Sequence, residues 1–442
     1  MIFRTGRRAP RRTPVSAQRE TVAVVGSGVA GLTAAYSLSR THDVTLFESD
    51  DRFGGHAHTH DVLDSSGRTI AVDSGFIVHN RRTYPTLLKL FAELDVPTQE
   101  SEMTMSVHCD GCGLEYAGGG GLRKIFGSPS TANPRYLRML LEVKRFHRQA
   151  HRVLASDQLD GLTLGGFLEL GGYSDYFVRH FMLPFVSAVW SAGPATSLQY
   201  PAKYLFTFLA NHGLLSVGGS PAWRTVTGGS RTYVEKVTAA LPATRLSTAV
   251  RSIRRHPDGV EVTDVTGATH AVDKVVVATH ADTALGLLTD PTPAEQEVLG
   301  AFGYSHNETL LHRDTSLLPT HLAARAAWNY RMPSCTSGEN GERTALSYDM
   351  NVLERLHADD TYVVTLNQTA DVDPASVIAR MDYTHPIYTL ESVAAQSRLP
   401  GLNDGRTAFA GAYHGWGFHE DGCLAGARAA ASLGSSWSEE QW

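Results

Sequence analysis

The sequence predicts an α/β fold, in which a discontinuous Rossmann-like domain carries an inserted α+β domain. Two observations support this prediction. Residues 21–48 run in the order apolar β-branched strand, glycine-rich turn, helix and second strand. Apolar strand patterns then return at 274–279 and 407–411, after long stretches of different character. We therefore assign the first domain to 21–80, 223–289 and 397–434, and the inserted domain to 81–222 and 290–396.

The glycine-rich turn is the first candidate site. Gly26, Gly28 and Gly31 follow a strand and open a helix, whose N-terminal amides can face a pyrophosphate. Glu48 ends the second strand 17 residues past Gly31, about where a ribose hydroxyl needs a carboxylate. Such turns also arise for steric reasons alone, but here strand, helix and acid agree. The segment predicts a site for an ADP-containing dinucleotide.

Composition and charge exclude several classes of protein. The 442 residues carry a net charge of −6, and no apolar run approaches the roughly 20 residues that would span a bilayer. Nothing suggests nucleic-acid binding or a Ser-His-Asp hydrolase. The first twenty residues hold six arginines against Glu20 and lead straight into the first strand, so they are not expected to be a secretory signal. A disordered basic tail is favoured over a contact with a membrane or a partner. Residues 435–442 are expected to form a C-terminal tail.

The cysteines are too few for a disulfide framework, since there are four in the chain, and this favours the cytoplasm. Cys109 and Cys112 flank Asp110-Gly111, a preferred two-residue hairpin loop, so they are expected to face each other across adjacent strands. That position would suit a disulfide or half of a metal site. No second Cys or His pair with zinc spacing completes such a site, so a structural hairpin is favoured and no metal is expected.

Two segments of the inserted domain leave alternatives open. The predicted helix at 133–155 places Leu137, Leu140, Leu141 and Phe146 on one side and is rich in Arg and Lys. It could rest on anionic lipid at the inner face of the membrane, although a solvated basic face is the favoured interpretation. Residues 162–219 are rich in aromatic side chains, which either line an apolar cavity or fill a core.

The residues after Glu48 narrow the choice of dinucleotide. The run from Glu48 through Arg52 to Gly54-Gly55 resembles the second half of the FAD signature in the flavin amine oxidase and phytoene desaturase superfamily. In this chain the glycine pair follows Glu48 after five intervening residues. The resemblance favours FAD over NAD.

The C-terminal segment is the second candidate site. A strand ends at Gly411 and a helix of small residues starts near Gly422. The N-terminal amides of that helix would meet a flavin edge, where partial positive charge stabilises the negative charge of the reduced ring. Gly422 and Gly426 would let the helix approach closely.

The resemblance extends over most of the chain. From Val22 to Gly434 the sequence looks like a bacterial group of NAD/FAD-binding oxidoreductases within the flavin amine oxidase superfamily. The motifs that carry it are Gly26 to Gly31, Gly54-Gly55-His56, Asp73 to Val78, Cys109 to Glu115, Asn211 to Leu214, Trp223-Arg224, Gly228 to Arg231, Trp328 to Tyr330 and Gly415 to Gly422. The resemblance implies FAD, a substrate lobe similar to that of p-hydroxybenzoate hydroxylase, and dehydrogenation against the flavin. Some members look linked to fatty-acyl modification, which implies a lipid-like small-molecule substrate.

One residue departs from the pattern of the wider superfamily, and the aromatic rings that would face the flavin are not fixed by the resemblance. An acid usually follows the Ala-Gly of the C-terminal strand, where it contacts the ribityl and pyrophosphate region, but Ala412 stands here. Glu420 or Asp421 would have to substitute for it. Amine oxidases often hold two aromatic rings against the flavin, and Tyr413 or Trp416 could supply one of them.

The candidate residues follow from these motifs. The cofactor-binding candidates are Gly26, Ser27, Gly28, Val29, Ala30, Gly31, Glu48, Ser49, Arg52, Gly54, Gly55, His56, Gly75, Phe76, Val250, Gly411, Glu420, Asp421 and Gly422. A desaturation also needs a base for the neighbouring proton. The catalytic candidates, which lie in glycine-punctuated segments, are His212, His414, Trp416, His419 and Glu420.

The sequence thus predicts an FAD-dependent oxidoreductase of the dehydrogenase, oxidase or desaturase type. It would take a hydride onto flavin N5 from an apolar substrate, with a fatty-acyl chain as one candidate. The alternatives are a flavin-dependent amine oxidase, a redox-neutral double-bond isomerase and a flavin-binding protein without turnover. The electron acceptor and the oligomeric state are not indicated by the sequence.

Overall fold

The computed structural model describes residues 19–156, 161–216, 218–336, 345–435 and 437. The basic tail at 1–20 and the C-terminal tail at 435–442 lie almost wholly outside these residues. The strands are β1 Thr21–Val25, β2 Asp43–Phe47, β3 Thr59–Leu63, β4 Thr69–Asp73, β5 Val78–Asn80, β6 Thr98–Glu100, β7 Met105–Cys109, β8 Leu114–Gly118, β9 Trp223–Val226, β10 Ala243–Arg245, β11 Val250–His256, β12 Gly259–Asp264, β13 Thr269–Val272, β14 Lys274–Val277, β15 Gly303–His312, β16 Trp328–Met332, β17 Leu346–Asp349, β18 Val363–Leu366, β19 Val377–Ile387 and β20 Thr407–Phe409.

The helices fill the spaces between these strands. They are α1 Val29–Leu38, α2 Pro85–Glu93, α3 Leu122–Ile125, α4 Pro134–Leu154, α5 Leu164–Leu170, α6 Asp175–Phe177, α7 Leu183–Trp190, α8 Pro194–Leu198, α9 Ala202–Asn211, α10 Arg231–Ala240, α11 Ala281–Leu287, α12 Pro293–Leu299, α13 Met350–Leu353, α14 Leu390–Gln396 and α15 His419–Ser432. A π-helical turn, Val178–Met182, joins α6 to α7.

A parallel five-stranded sheet forms the first lobe, with the order β10-β2-β1-β14-β20. Its central strands are short apolar runs because both faces are covered, one by α1, α10 and α15 and the other by β11 and β12 with α11 and α12, so every side chain of Val22–Val25 is buried. β1 pairs with β2 on one side and with β14 on the other, which places the glycine turn after β1 in the middle of the carboxyl edge. This is the position in which α/β sheets bind ligands.

Two helices from opposite ends of the chain cross above this sheet. A Cβ at Gly422 would lie 2.7 Å from Val29 Cγ1, and a Cβ at Gly426 would overlap the carbonyl oxygen of Ala30. The hydroxyl of Thr33 in α1 also contacts the thiol of Cys423 at 3.3 Å. The glycines of α15 therefore serve the approach of α15 to α1.

The second lobe is built on a seven-stranded sheet with the order β19-β15-β18-β17-β16-β7-β8. β7 and β8 come from the segment 81–222, while the other five strands come from 290–396. Helices α4 to α9 pack against this sheet around an aromatic core that includes Tyr136, Phe146 and Phe206. Both inserted segments thus contribute to one sheet, although the domain boundaries remain a prediction.

The chain leaves the parallel sheet after β10, because Ser247 adopts a φ of +49° between β10 and β11. β11, β12 and β13 then form a separate antiparallel sheet. Helix α4 lies where it was expected, but its apolar face is rotated, so Leu137 and Leu141 are 49% and 68% exposed while Tyr136 and Phe146 are buried.

The cysteine hairpin also differs from its prediction. Cys109 pairs with Leu114 at the end of the β7–β8 hairpin, so the loop holds four residues, 110–113. Cys112 lies within that loop and is exposed, and it does not face Cys109 from a strand. The left-handed φ of Gly113, +70°, lets the longer loop close.

Packing between α1 and α15 gives a test of the fold. We expect Gly426→Ala to lower the free energy of unfolding by about 1–3 kcal/mol, because its methyl group overlaps the Ala30 carbonyl oxygen. The matched control is Gly286→Ala in α11, where an added Cβ meets no atom within 4 Å. Urea unfolding of both variants measures the difference, and equal stabilities would contradict the described packing.

Candidate active site

The turn after β1 has the geometry of a phosphate-binding loop. Gly26 has a φ of +96°, and a Cβ at Gly31 would overlap the Gly26 carbonyl oxygen, so both positions require glycine. Gly28 is the N-cap of α1 and has no side chain to satisfy the first amides of that helix. A Cβ there would meet no described protein atom within 4 Å. The N-terminus of α1, which includes Val29 and Ala30, can therefore offer its amides to an anion.

The acid at the end of β2 holds this turn in place. Glu48 is 7% exposed, and its Oε2 accepts the backbone N–H of Ser27 at 2.8 Å and also the Ser27 hydroxyl. Its Oε1 accepts the Ser49 hydroxyl and the Asp50 amide, both at 3.0 Å. Glu48 thus lies beside the phosphate-binding turn, as the sequence predicted. A ribose hydroxyl would have to replace one of these donors.

The second glycine pair packs directly on the first turn. The Gly54 amide donates to the Ser27 carbonyl and hydroxyl at 3.2 and 3.1 Å, and a Cβ at Gly55 would lie 3.1 Å from Gly28 Cα. Arg52 donates to the Gly55 carbonyl at 2.8 Å, and this hydrogen bond fixes the loop that holds the second glycine pair. The two glycine motifs, 23 or more residues apart in the chain, therefore form one surface.

His56 follows the glycine pair and is the clearest candidate for a cofactor contact. Its Nε2 is buried and has no hydrogen-bond partner among the described residues. Burial, and then the charge of neighbouring histidines, keeps its pKa well below the ordinary value, so the ring is neutral. His385 and Tyr383 lie beside it, with ring centroids 5.4 and 5.0 Å away. Sequence reasoning missed both, because they come from the distant strand β19.

Phe76 joins the two candidate sites. Its amide donates to the His56 carbonyl at 2.7 Å, and its ring stacks on His419 with centroids 3.6 Å apart. A Cβ at Gly75 would overlap the same carbonyl, which explains the glycine there. Val250, in contrast, begins β11 and pairs with Asp264, so its side chain packs against the core under the sheet.

The C-terminal loop after β20 is fixed by polar contacts from the second lobe. The Gly415 carbonyl accepts the hydroxyl of Tyr204 at 2.7 Å and the amide of Gln396 at 2.6 Å. The Trp416 carbonyl accepts the indole N–H of Trp190 at 2.9 Å. Because its backbone is tied down in this way, the loop presents its side chains in a fixed arrangement.

Two of the predicted catalytic histidines already have partners. His212 caps α9 through Nδ1 and the Phe208 carbonyl at 2.9 Å, and its Nε2 contacts Thr83 at 3.2 Å. Nε2 of His419 contacts the Tyr233 hydroxyl at 2.8 Å, and burial lowers the pKa of His419 to about 3. Both ring nitrogens of His212 are thus engaged by the protein itself.

The two acids of the C-terminal helix also have structural partners. Glu420 accepts the amides of Thr86 and Leu87, both at 2.9 Å, and so caps α2. Asp421 accepts the Phe418 amide at 2.9 Å, and burial raises its pKa to about 7. Each carboxylate oxygen of Glu420 therefore accepts one backbone amide of α2, which holds the side chain in place.

The remaining candidates separate into two groups. Trp416 and His414 each carry a buried ring nitrogen, Nε1 and Nε2 respectively, with no partner in the described part of the chain. Burial lowers the pKa of His414 to about 4. Tyr413 instead packs on Phe302 in the core beneath the sheet, with ring centroids 5.1 Å apart. Of the two rings considered for a wall against the flavin, only Trp416 belongs to the aromatic core of the second lobe.

Comparison with known proteins identifies the family. Residues 29–311 match the family described as flavin containing amine oxidoreductase. The chain belongs to this family. AofH of Mycobacterium tuberculosis, whose name assigns it provisionally to the flavin-containing monoamine oxidases, is 29% identical over 293 residues, which are 63% of this chain and 61% of the relative.

Solved structures of the same fold cover nearly the whole chain. Cyclohexylamine oxidase from Brevibacterium oxydans superposes with a TM-score of 0.67 at 17% identity, covering 94% of this chain and 98% of that one. A fatty acid isomerase from P. acnes that produces CLA superposes with a TM-score of 0.64 at 16% identity, covering 92% and 97%. At these identities the likeness establishes the fold.

The cofactor of this amine oxidoreductase family member is FAD, and the described residues fit it. The uncapped amides of α1 and the space beside Gly28 suit the pyrophosphate, and the unpartnered His56 Nε2 offers a further polar contact. Glu48 would hold the adenosine ribose, and the N-terminus of α15 would face the flavin. Among the described residues, no helix is both long and apolar enough to cross a bilayer.

Gly28 gives a test of cofactor binding that leaves the fold intact. Its φ of −60° suits any residue, and an added Cβ meets no described protein atom, so we expect Gly28→Val to fold. The branched side chain would occupy the phosphate position and reduce the FAD content of the purified protein to near zero. Visible absorbance and circular dichroism measure the two effects. Gly286→Val is the control, and a yellow Gly28→Val protein would refute the assignment.

His79 gives a test of the neutral interior. It is fully buried, and burial followed by the charge of Arg224 lowers its pKa to about 4. Below pH ~6.5 the unfolded chain binds a proton at His79, whereas the folded chain does so only below about pH 4. The free energy of unfolding therefore decreases as the pH is lowered through this window. Between about pH 7 and 5 the wild type should lose about 2 kcal/mol more stability than His79→Phe. Urea unfolding at each pH measures this, and parallel losses would count against it.

Proposed function

We propose that the protein oxidises an uncharged, apolar substrate, with a fatty-acyl chain as the leading candidate, using FAD as the oxidant. Bound FAD supplies a hydride acceptor at flavin N5. The chain itself contributes the binding of the cofactor, the positioning of the donor carbon and the exclusion of water. The proposal rests on one observation, which is an aromatic surface beside the C-terminal loop. The acids next to this surface accept hydrogen bonds from backbone amides.

That surface, here called the aromatic wall, consists of Tyr204, Phe208, Trp416 and Phe418. Phe208 stacks on Phe418 with centroids 4.8 Å apart, and Tyr204 lies 5.9 Å from Trp416. Phe208 is buried, while the other three rings are only partly buried and so keep accessible faces. Phe418 directly precedes His419, whose ring stacks on Phe76, so the chain links the wall to the predicted flavin site. Such a surface favours an apolar substrate.

The charges around the wall also favour an uncharged substrate. An alkylamine is protonated near neutral pH, and a free carboxylate would be its natural partner. Glu420 and Asp421, the acids of this segment, both accept backbone amides, and burial raises the pKa of each, to about 7 for Asp421, so that they offer less negative charge to an ammonium group. His414 and His419 are neutral, since burial lowers their pKa values to about 4 and 3.

The surface of the second lobe is consistent with a substrate in a membrane. Leu137, Leu141, Lys144 and Arg148 are all exposed and follow one another at helical spacing along α4. This stripe combines apolar and basic side chains, the pattern of helices that rest on anionic lipid. The solvated face favoured by the sequence therefore includes two leucines, and contact with lipid headgroups becomes part of the proposal.

Amine oxidation is the second candidate. The family and the relative AofH favour it, and the chain shares its fold with cyclohexylamine oxidase. The fatty acid isomerase of the same fold supports an acyl substrate and also a redox-neutral outcome. The three outcomes differ in net reduction of the flavin and in the mass of the product.

The deciding experiment adds candidate substrates anaerobically to the yellow protein. We expect phospholipid vesicles with monounsaturated or methyl-branched acyl chains to bleach the flavin absorbance, and the acyl product to lose two hydrogens by mass spectrometry. Cyclohexylamine should leave the spectrum unchanged. Bleaching by amines alone, with peroxide release in air, would replace this proposal with amine oxidation. A shifted double bond at unchanged mass would indicate the isomerase.

A variant pair tests the aromatic wall in the same assay. We expect Trp416→Ala to slow acyl-dependent bleaching at least about tenfold, because it removes apolar contact area from the substrate, while FAD content is retained. Leu170→Ala is the control, since Leu170 is 78% exposed on α5. Equal rates for the two variants would remove the wall from the substrate site.

A further inference from the structure

Four metal-ligating side chains meet at one edge of the second lobe. The donor atoms of Cys109, Cys112, His180 and Cys335 all lie within 4.8 Å of one another. No Cys or His pair with zinc spacing accompanies the first two cysteines in the sequence, but the fold brings His180 and Cys335 beside them. Sequence spacing could not reveal the site, because His180 lies 68 residues from Cys112, and Cys335 lies 226 residues from Cys109.

The sheet brings three of these residues together. β7 and β16 run parallel, with Cys109 in register with Met332, so both strands end at the same edge. Cys335 follows β16 by three residues. Gly111 permits the close approach of the two segments, since a Cβ there would lie 3.0 Å from the Cys335 amide nitrogen. The loop that holds Cys112 is thus pressed against the segment that holds Cys335.

The π-helical turn supplies the fourth residue. It turns the His180 ring into the cluster, and Tyr116 of β8 donates to the His180 carbonyl at 2.7 Å. Nδ1 of the ring lies 3.2 Å from the Tyr176 carbonyl, which favours a proton on Nδ1 and leaves the Nε2 lone pair directed at the thiols. Metal-binding histidines are commonly oriented by such a carbonyl.

The distances match a tetrahedral ion. With a zinc–sulfur distance of about 2.3 Å and a zinc–nitrogen distance of about 2.0 Å, neighbouring ligands are about 3.5–3.8 Å apart. The Cys109 and Cys335 sulfurs are 3.5 Å apart, and His180 Nε2 lies 3.6 Å from each of the Cys112 and Cys335 sulfurs.

The backbone also prepares the sulfurs for a cation. The Cys112 amide bonds to the Cys109 sulfur, and the Leu114 amide bonds to the Cys112 sulfur. Amide donors of this kind stabilise thiolates. Cys109 and His180 are buried, whereas Cys112 is exposed and gives an ion a path from solvent.

We propose that Cys109, Cys112, His180 and Cys335 bind one structural Zn²⁺ ion. Three soft thiolates and one imidazole favour zinc over magnesium or calcium, and four protein ligands leave no open position for catalysis. The ion fastens the β7–β8 hairpin, the π-helical turn and the segment after β16 to one another. It thereby holds the helices of the second lobe on their sheet.

Elemental analysis of the full-length protein tests this proposal. We expect about one zinc per chain, retained after dialysis, and we expect Co²⁺ substitution to give thiolate charge-transfer and tetrahedral d–d bands. Cys112→Ser should lose the metal and lower the Tm while it keeps FAD, because Cys112 lies in an exposed loop. Cys423→Ala is the matched control, since it removes a cysteine outside the cluster, and it should keep the zinc.

The contrary results are equally specific. A protein that binds neither Zn²⁺ nor Co²⁺ after reduction and reconstitution would overturn the proposal. A Cys109–Cys335 disulfide that mass spectrometry still detects after the same treatment would also overturn it. Zinc content equal in the wild type and in both Cys112→Ser and Cys335→Ser would place the ion elsewhere. These readouts do not depend on the substrate, so they stand apart from the test of the proposed oxidation.

Discussion

The close crossing of α1 and α15 is the constraint on which the rest of the cofactor site depends. Gly422 and Gly426 bring the C-terminal helix against Val29 and Ala30 at the start of α1. Two helix N-termini therefore converge on one side of the parallel sheet, and both direct partial positive charge toward the same region. A side chain at Gly422 or Gly426 would separate the two helix ends and with them the two halves of the site.

Burial also reduces the charge of ionisable side chains in the interior. The histidines near the predicted flavin site are neutral because burial lowers their pKa values, as for His56 and His419. The acids there are used as caps, with Glu420 on α2 and Asp421 on the C-terminal loop. A hydride transfer in such surroundings would meet few competing proton donors, which suits chemistry at carbon.

Local sequence patterns predicted much of this architecture, and the limits of prediction have physical causes. The turn from Gly26 to Gly31 and the position of Glu48 depend on contacts within one βαβ unit, so spacing alone revealed them. The roles of Glu420 and of His180 depend on partners far away in sequence, which only the folded chain brings near. The face of α4 was misjudged because periodicity counts leucines, whereas the fold buries Tyr136 and Met139.

The contact between Thr33 and Cys423 spans 390 residues, and it has a consequence for how the protein forms. The five-stranded sheet cannot be completed until its last strand, β20, and the helix that follows it have been synthesised. During that interval the apolar face of α1 lacks its cover, and the cofactor has only half of its binding surface. The second lobe, whose strands lie between these ends, can acquire its own core first. Loss of the C-terminal helix should therefore leave the N-terminal segment, which is synthesised first, uncovered and accessible to chaperones.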